Sequence, residues 1–164
     1  MPEPPAAGPG CAGGPPGLRR RLPDLLLFFG IAGASAALLA ANLLRSFHPL
    51  DMSAFMDAGY RITLGQQPYR DFIYTAGPLH PWFHAVFFSV CGFGVRALQV
   101  HLAVANTLAL LPVFLLARRH LGRGATAGIT ATSALCFYGP VSHPWYDQNA
   151  HLWLFWAVYL LDRA

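Results

Sequence analysis

Apolar positions in this chain fall into runs of bilayer length, broken by short basic turns and by one long stretch of mixed character. The first run, residues 25–45, is about 20 residues of almost unbroken apolar character, enough to cross a hydrocarbon core of about 30 Å. The second, residues 97–117, ends in Arg118, Arg119, His120 and Arg123. Two more follow at 124–141 and 148–162, the last closing on Arg163. Between the first and second runs, residues 46–95 carry two shorter patterns. From Asp51 to Leu64, the residues Met52, Phe55, Met56, Gly59, Tyr60 and Ile62 share one face, and Asp57 and Arg61 stand four apart. This predicts an amphipathic helix lying in an interface, with Gly65 as its C-cap. QQPYRDF and TAGPLHP predict turns and extended chain, because each proline biases the preceding residue away from helix. Residues 79–93 are apolar and aromatic but only about 15 long, and His80 and His84 interrupt them, so they are ambiguous between a short span and an interfacial helix.

Charge resolves that ambiguity. Arg19, Arg20 and Arg21 precede the first run and assign the N-terminus to the cytoplasm. A cleaved signal peptide would carry an apolar region of only about 7–15 residues, shorter than this one. If residues 79–93 crossed the membrane, the arginines at 118, 119 and 123 would face outward; if they lie in the interface, those arginines return to the cytoplasm. The expected fold is therefore an all-α membrane protein with four spanning helices and two outer interfacial helices. Residues 1–22, rich in proline and glycine, are expected to be a disordered cytoplasmic tail, and residues 23–164 the membrane region. This topology collects Asp51, Asp57, Asp71 and Asp147 on the outer side.

Composition agrees with the pattern. Hydrophobic residues make up 55% of the chain and charged residues 11%, where a soluble domain carries about 25% charged residues. The net charge of +4 comes without a single lysine, and the arginines are scattered rather than gathered in a stripe with interleaved aromatics. No nucleic-acid partner is expected. Cys11, Cys91 and Cys136 form neither a CxxC nor a metal spacing, so no disulfide framework is implied.

Each acid has an ordinary use as well as a chemical one. Asp51 and Asp147 are suited to cap the helices they open. Asp57 is expected to pair with Arg61, and Asp71 to make the turn of PYRDF. His80 and His84 have ligand spacing, yet on an aromatic interfacial helix they read as an interface feature before a zinc site. Trp82, Trp145, Tyr146, Trp153 and Tyr159 read as an aromatic belt first and a sugar-stacking platform second. Asn106 and Thr107, within a span, are expected to bond to neighbouring helices.

Several elements recur in a suggestive order: Asp51, Gly65, Pro68-Tyr69-Arg70-Asp71, Pro78-Leu79, GFGVR at 92–96, the basic turn ARRHLGR, and Asp147 opening the fourth run. Over residues 20–164 this resembles the N-terminal part of the C-type glycosyltransferases of the protein O-mannosyltransferase and aminoarabinose-transferase kind. The resemblance implies a plasma-membrane enzyme, active on the outer face, that takes a sugar from a polyprenyl-phosphate carrier. The acceptor would be a carbohydrate, lipid or protein, and a divalent metal is compatible with the chemistry. Asp51 would be the general base, since an acceptor hydroxyl must give its proton to a positioned carboxylate as it attacks the anomeric carbon. The anionic leaving group needs cationic or hydrogen-bonding partners; Arg61, Arg70, His80 and Arg96 are the candidates, with Asp71 and Asp147 as further substrate-binding residues.

The family's frequent Asp-Glu pair reads Asp51-Met52 here, and the lysine typical of aminoarabinose transferases corresponds to Ala76, which argues against that donor. Complete members carry many more spans and usually a soluble C-terminal domain, so this length alone is expected to be inactive. The competing class is a transporter or non-catalytic membrane subunit. Acids kept at one interface, with uncharged spans, favour chemistry on a lipid-carried headgroup over translocation.

Overall fold

The computed structural model describes residues 18–43, 45, 49–77, 79–138 and 146–164, with the backbone alone for 18–20, 49–51, 137–138 and 146–148. Six helices run through the described residues: α1 (Leu18–Leu43), α2 (Pro49–Thr63), α3 (Leu79–Cys91), α4 (Val95–His120), α5 (Arg123–Tyr138) and α6 (Tyr146–Arg163). The fold is all-α. Two helices, over Arg21–Leu43 and Val95–His120, are long and apolar enough to cross a membrane.

α4 is the centre on which α1, α3, α5 and α6 pack. Phe28 and Ala32 of α1 meet Leu110 and Phe114 of α4 and Ala134 of α5. Further along, Leu39 meets Leu102 and Ala109, with Leu152 of α6 joining them. Half of α4's apolar window is buried, against 17% of α1's. α4 therefore spends its apolar surface on other helices, whereas α1 leaves Leu25, Leu26, Phe29 and Leu38 exposed.

Contacts at the helix ends give the orientations. Leu43, at the end of α1, packs against Ala97 and Leu98 at the start of α4. Asp24, near the start of α1, pairs with Arg118 at the end of α4 and Arg123 at the start of α5, at 3.1 and 2.7 Å. α1 and α5 thus run antiparallel to α4. α6 runs parallel to α4: Leu152 meets Leu102, the Trp156 indole donates to the Leu108 carbonyl at 3.1 Å, and Asp162 pairs with Arg119 at 2.7 Å.

Several polar groups inside this bundle are bonded across or along helices. Asn106, fully buried, donates to Ser35 Oγ of α1 at 3.0 Å, the interhelical bond its sequence position implies. Thr107 differs from expectation, because its hydroxyl turns back to the Ala103 carbonyl of its own helix at 2.8 Å. Thr126 and Thr130 do the same on α5. A hydroxyl has a nearby acceptor one turn back, which a carboxamide with its longer reach does not need.

α2 and α3 form a cap at the end opposite the arginines. Of the amphipathic face read from the sequence, α2 buries Met52, Phe55, Gly59 and Ile62 and half-buries Met56, while Tyr60 turns outward and Ala58 is buried in addition. Gly59 marks the closest approach of the two helices: a Cβ there would lie 2.6 Å from His84 Cβ and 3.0 Å from Phe88 Cε2. At Gly65 the backbone turns to φ +85°, the left-handed conformation that ends α2 as expected. α3 has 13 residues, about 20 Å of helix, well short of a hydrocarbon core.

Two boundaries differ from the sequence reading. α1 begins at Leu18 and includes Arg19–Arg21 and Pro23, so the last five residues of the expected disordered tail are helical; residues 1–17 lie outside the described residues. Pro23, the sixth residue of the helix, lies just past the four N–H groups that have no acceptor, so it removes a single bond, the one to the Arg19 carbonyl. α5 covers 123–138, and the remainder of the expected run to 141 lies outside the described residues.

Candidate functional site

The cap end brings together most of the residues singled out in the sequence. Asp51 lies in the first turn of α2, four residues ahead of Phe55, and Asp147 in the first turn of α6, two residues ahead of Asn149. The side chains of both aspartates lie outside the described residues.

The other acids here are engaged as the local pattern predicts. Asp57 Oδ2 accepts from Arg61 Nε at 2.6 Å, and Arg61 also sits over the Phe72 ring at 5.6 Å. Asp71 closes the turn after α2: its Oδ2 accepts from the Gln67 amide at 2.8 Å, and Arg70 clamps both oxygens at 2.9 and 2.7 Å. The Arg70 guanidinium, and after it the Gln67 amide, hold the Asp71 carboxyl below the usual carboxylate range, and Asp71 raises Arg70 in return. Between them Tyr69 takes φ +66°, uncommon for a side chain of this size. It is held by its amide bond to the Phe72 carbonyl at 2.9 Å and by its hydroxyl, which donates to the Ala76 carbonyl. Arg96 stands exposed in the first turn of α4, with no ion pair among the described residues.

His80 is placed differently from these surface groups. It is buried, its Nδ1 bonded to the Tyr74 hydroxyl at 2.9 Å and its Nε2 to His84 Nε2 at 3.1 Å. The second contact requires one imidazole to donate and the other to accept, so the accepting ring is neutral. Phe55 meets His80 edge-on at 4.9 Å, and His84 meets His101 of α4 at 4.7 Å between ring centroids. Phe87 stacks on His101 at 4.6 Å, and the His101 imidazole donates to the side chain of Asn149 on α6. A continuous imidazole chain therefore links the loop before α3, α3 itself, α4 and α6.

The sequence reading missed His101, Tyr74 and Asn149. His101 falls five residues into an otherwise apolar run, where an imidazole is costly without partners; that isolation was the available signal. Its partners come from two other elements, α3 and α6, and no local pattern reveals them. No three described His, Cys, Asp or Glu residues are arranged to hold a metal ion.

Beside this chain, between α3 and α6, lies a cavity of about 270 Å³ lined by Gly77, Leu79, His80, Phe83, Asn149, Ala150 and Trp153. Phe83 and Trp153 stack across it, 6.3 Å apart and 24° from parallel. Comparison of the chain with family models, with curated proteins and with solved structures finds no match.

Proposed function

We propose that this chain is a membrane glycosyltransferase, or the N-terminal part of one, that moves a sugar from a polyprenyl-phosphate carrier to an acceptor at the outer face. The observation that carries the reading is the segregation of the two ends. The starts of α2, α4 and α6, with Asp51, Arg96 and Asp147, share the cap end; Arg118, Arg119 and Arg123 share the other.

Four of the helices cross the bilayer in this reading. The exposed Ile129 and Leu135 of α5, and Trp153, Leu154, Val158 and Leu161 of α6, support adding these two to α1 and α4. α5 and α6 have 16 and 18 residues, about 24 and 27 Å, a shortfall that local bilayer thinning absorbs at small cost. The arginine end is cytoplasmic by the positive-inside bias, which leaves the cap outside. There Asp51 takes the acceptor proton, Arg96 and Arg61 face the carrier phosphate, and Asp147 orients the acceptor. Arg70, Asp71 and His80 act by shaping the loop and wall around them. A divalent metal would have to draw its oxygen ligands from Asp51 or Asp147 together with the phosphate.

The test is transfer of radiolabelled sugar from a polyprenyl-phosphate donor in membranes carrying wild type or Asp51→Asn, each expressed from the complete reading frame. Transfer is expected to fall about 10²–10⁴-fold in the variant with insertion unchanged. Undiminished transfer would remove Asp51 as base. The buried imidazole chain favours a second reading, a transporter with a proton path, in which wild type would show no sugar transfer at all.

A further inference from the structure

Leu79, Phe83, Ala150 and Trp153 give the cavity between α3 and α6 an almost wholly apolar lining. Two polar side chains interrupt it. His80 has both ring nitrogens bonded, one to Tyr74 and one to His84. Asn149 is more than nine-tenths buried; it accepts from the His101 imidazole, while its amide Nδ2 has no hydrogen-bond partner. A buried donor left in this way is unfavourable until an acceptor is brought to it.

These walls select by exclusion. A sugar ring would bring several hydroxyls and leave most of them without partners, at a cost for each. A charged phosphate would meet no cation among the described lining residues, at a larger cost still. The ligand that fits is uncharged and apolar along its length, with a carbonyl acceptor and no donor of its own. A fatty-acyl ester has that form. The opening agrees: Leu79 and Trp153 at the rim are each half exposed, and Trp153 continues into the exposed Leu154, Val158 and Leu161 of α6. The cavity is therefore entered sideways, from the apolar outer wall of the bundle. Asn149 and Ala150 stand at the start of α6, a depth that in a bilayer is the edge of the hydrocarbon, where indoles such as Trp153 collect and acyl esters lie. At about 270 Å³ the cavity is just below the usual small-molecule range of about 300–1,000 Å³, so it takes one ester and the first carbons of its chain and leaves a headgroup outside.

We propose that this cavity binds a glycerophospholipid by one acyl chain, with the ester carbonyl accepting from Asn149 Nδ2 and the phosphate outside the rim. The depth argument rests on the membrane topology proposed above; the choice of an uncharged ester rests on the walls, and neither depends on sugar transfer. Held there, the lipid fills the gap between the cap and α6, which meet across it through the Phe83–Trp153 stack.

The experiment is photolabelling of the full chain in nanodiscs built from dialkyl ether phosphatidylcholine, which carries no ester to compete. Two probes are compared, a diester phosphatidylcholine and its dialkyl ether analogue, each with a diazirine near the glycerol end of one chain. Labelled peptides are mapped by mass spectrometry. The ester probe is expected to label peptides of α3 and α6 around Phe83 and Trp153 about fivefold more than the ether probe, the effect of one hydrogen bond between uncharged groups. Asn149→Leu is expected to bring the two probes level. Ala150→Trp, which fills the cavity from an exposed position, is expected to remove the label of both from these peptides. Val158→Ala, on the exposed wall of α6 outside the cavity, is expected to keep the ester preference. Helicity by circular dichroism confirms that each variant is folded.

Absence of label around Phe83 and Trp153 in wild type, or label unchanged by folded Ala150→Trp, would overturn the site. Equal labelling of wild type by the two probes would overturn the ester carbonyl as the ligand group, and this comparison needs no variant to fold. A preference that persists in folded Asn149→Leu would overturn Asn149 as the donor. Asp51→Asn is expected to keep the ester preference while losing transfer, so failure of the lipid site and failure of the enzyme reading give different results.

Discussion

The two ends of this molecule are held by different physics. At the arginine end, elements far apart in the chain are joined by partly exposed ion pairs: Asp24 between Arg118 and Arg123, and Asp162 between Arg119 and His120. At the cap end, the joints are buried and mostly uncharged: Gly59 against His84, Phe55 against Tyr74 and His80, and Met52 against Leu43 and Leu98. Exposed pairs contribute little and tolerate change, whereas close-packed joints do not. The arginine end is therefore the more tolerant of the two, and the cap holds a shape. A site requiring fixed distances belongs at the second kind of end.

The largest expected effect breaks the cap. Gly59→Ala places a methyl 2.6 Å from His84 Cβ, where the contact is with the stem of the side chain rather than a flexible tip. The helices must part, at a cost of about 1–3 kcal/mol, read as a lower denaturation midpoint in detergent and as faster proteolysis of the 64–77 loop. A midpoint equal to wild type would show that α2 and α3 are not packed as described.

A smaller effect is expected at the other end. Asp162→Asn removes the carboxylate shared by Arg119 and His120 and is expected to cost no more than about 1 kcal/mol, an effect that added salt erases. A loss larger than that of Gly59→Ala would invert the comparison between the ends.

The smallest effect is local and depends on pH. Asp71 titrates below its ordinary 3.8 because Arg70 and the Gln67 amide favour its charged form. A group depressed on folding contributes fully above its unfolded value, and that contribution is lost as pH falls through the folded one. Protection of the Gln67 amide from hydrogen exchange is therefore expected to be constant between about pH 5 and 8, once the intrinsic exchange rate is divided out, and to fall only below about pH 4. Loss of protection near neutral pH would contradict the Gln67–Asp71 turn.

Much of this fold was legible in the sequence because apolar runs and their basic ends are local signals. All six helices stand in the expected order, and the Asp57–Arg61 pair, the Gly65 cap and the turn at Asp71 follow from residues a few positions apart. The imidazole chain was not legible. His80 and His84 were visible as a pair, but their burial depends on α2 crossing at Gly59, and His101 joins them only because α3 packs on the start of α4. Asn149 was hidden for the same reason: next to Asp147 it reads as part of a helix start, and only α6 lying along α4 brings it to His101.

The Ser35–Asn106 bond has a consequence for how the protein is made. Its partners are separated by 71 residues, so at about 5–20 residues per second roughly 4–14 s pass between their synthesis. During that interval α1 is an apolar helix with a hydroxyl that its own backbone can satisfy. Asn106 has no such refuge when it emerges. It is thus the later helix that must find the earlier one, and the carboxamide at its middle ties the completion of α4 to the presence of a waiting α1.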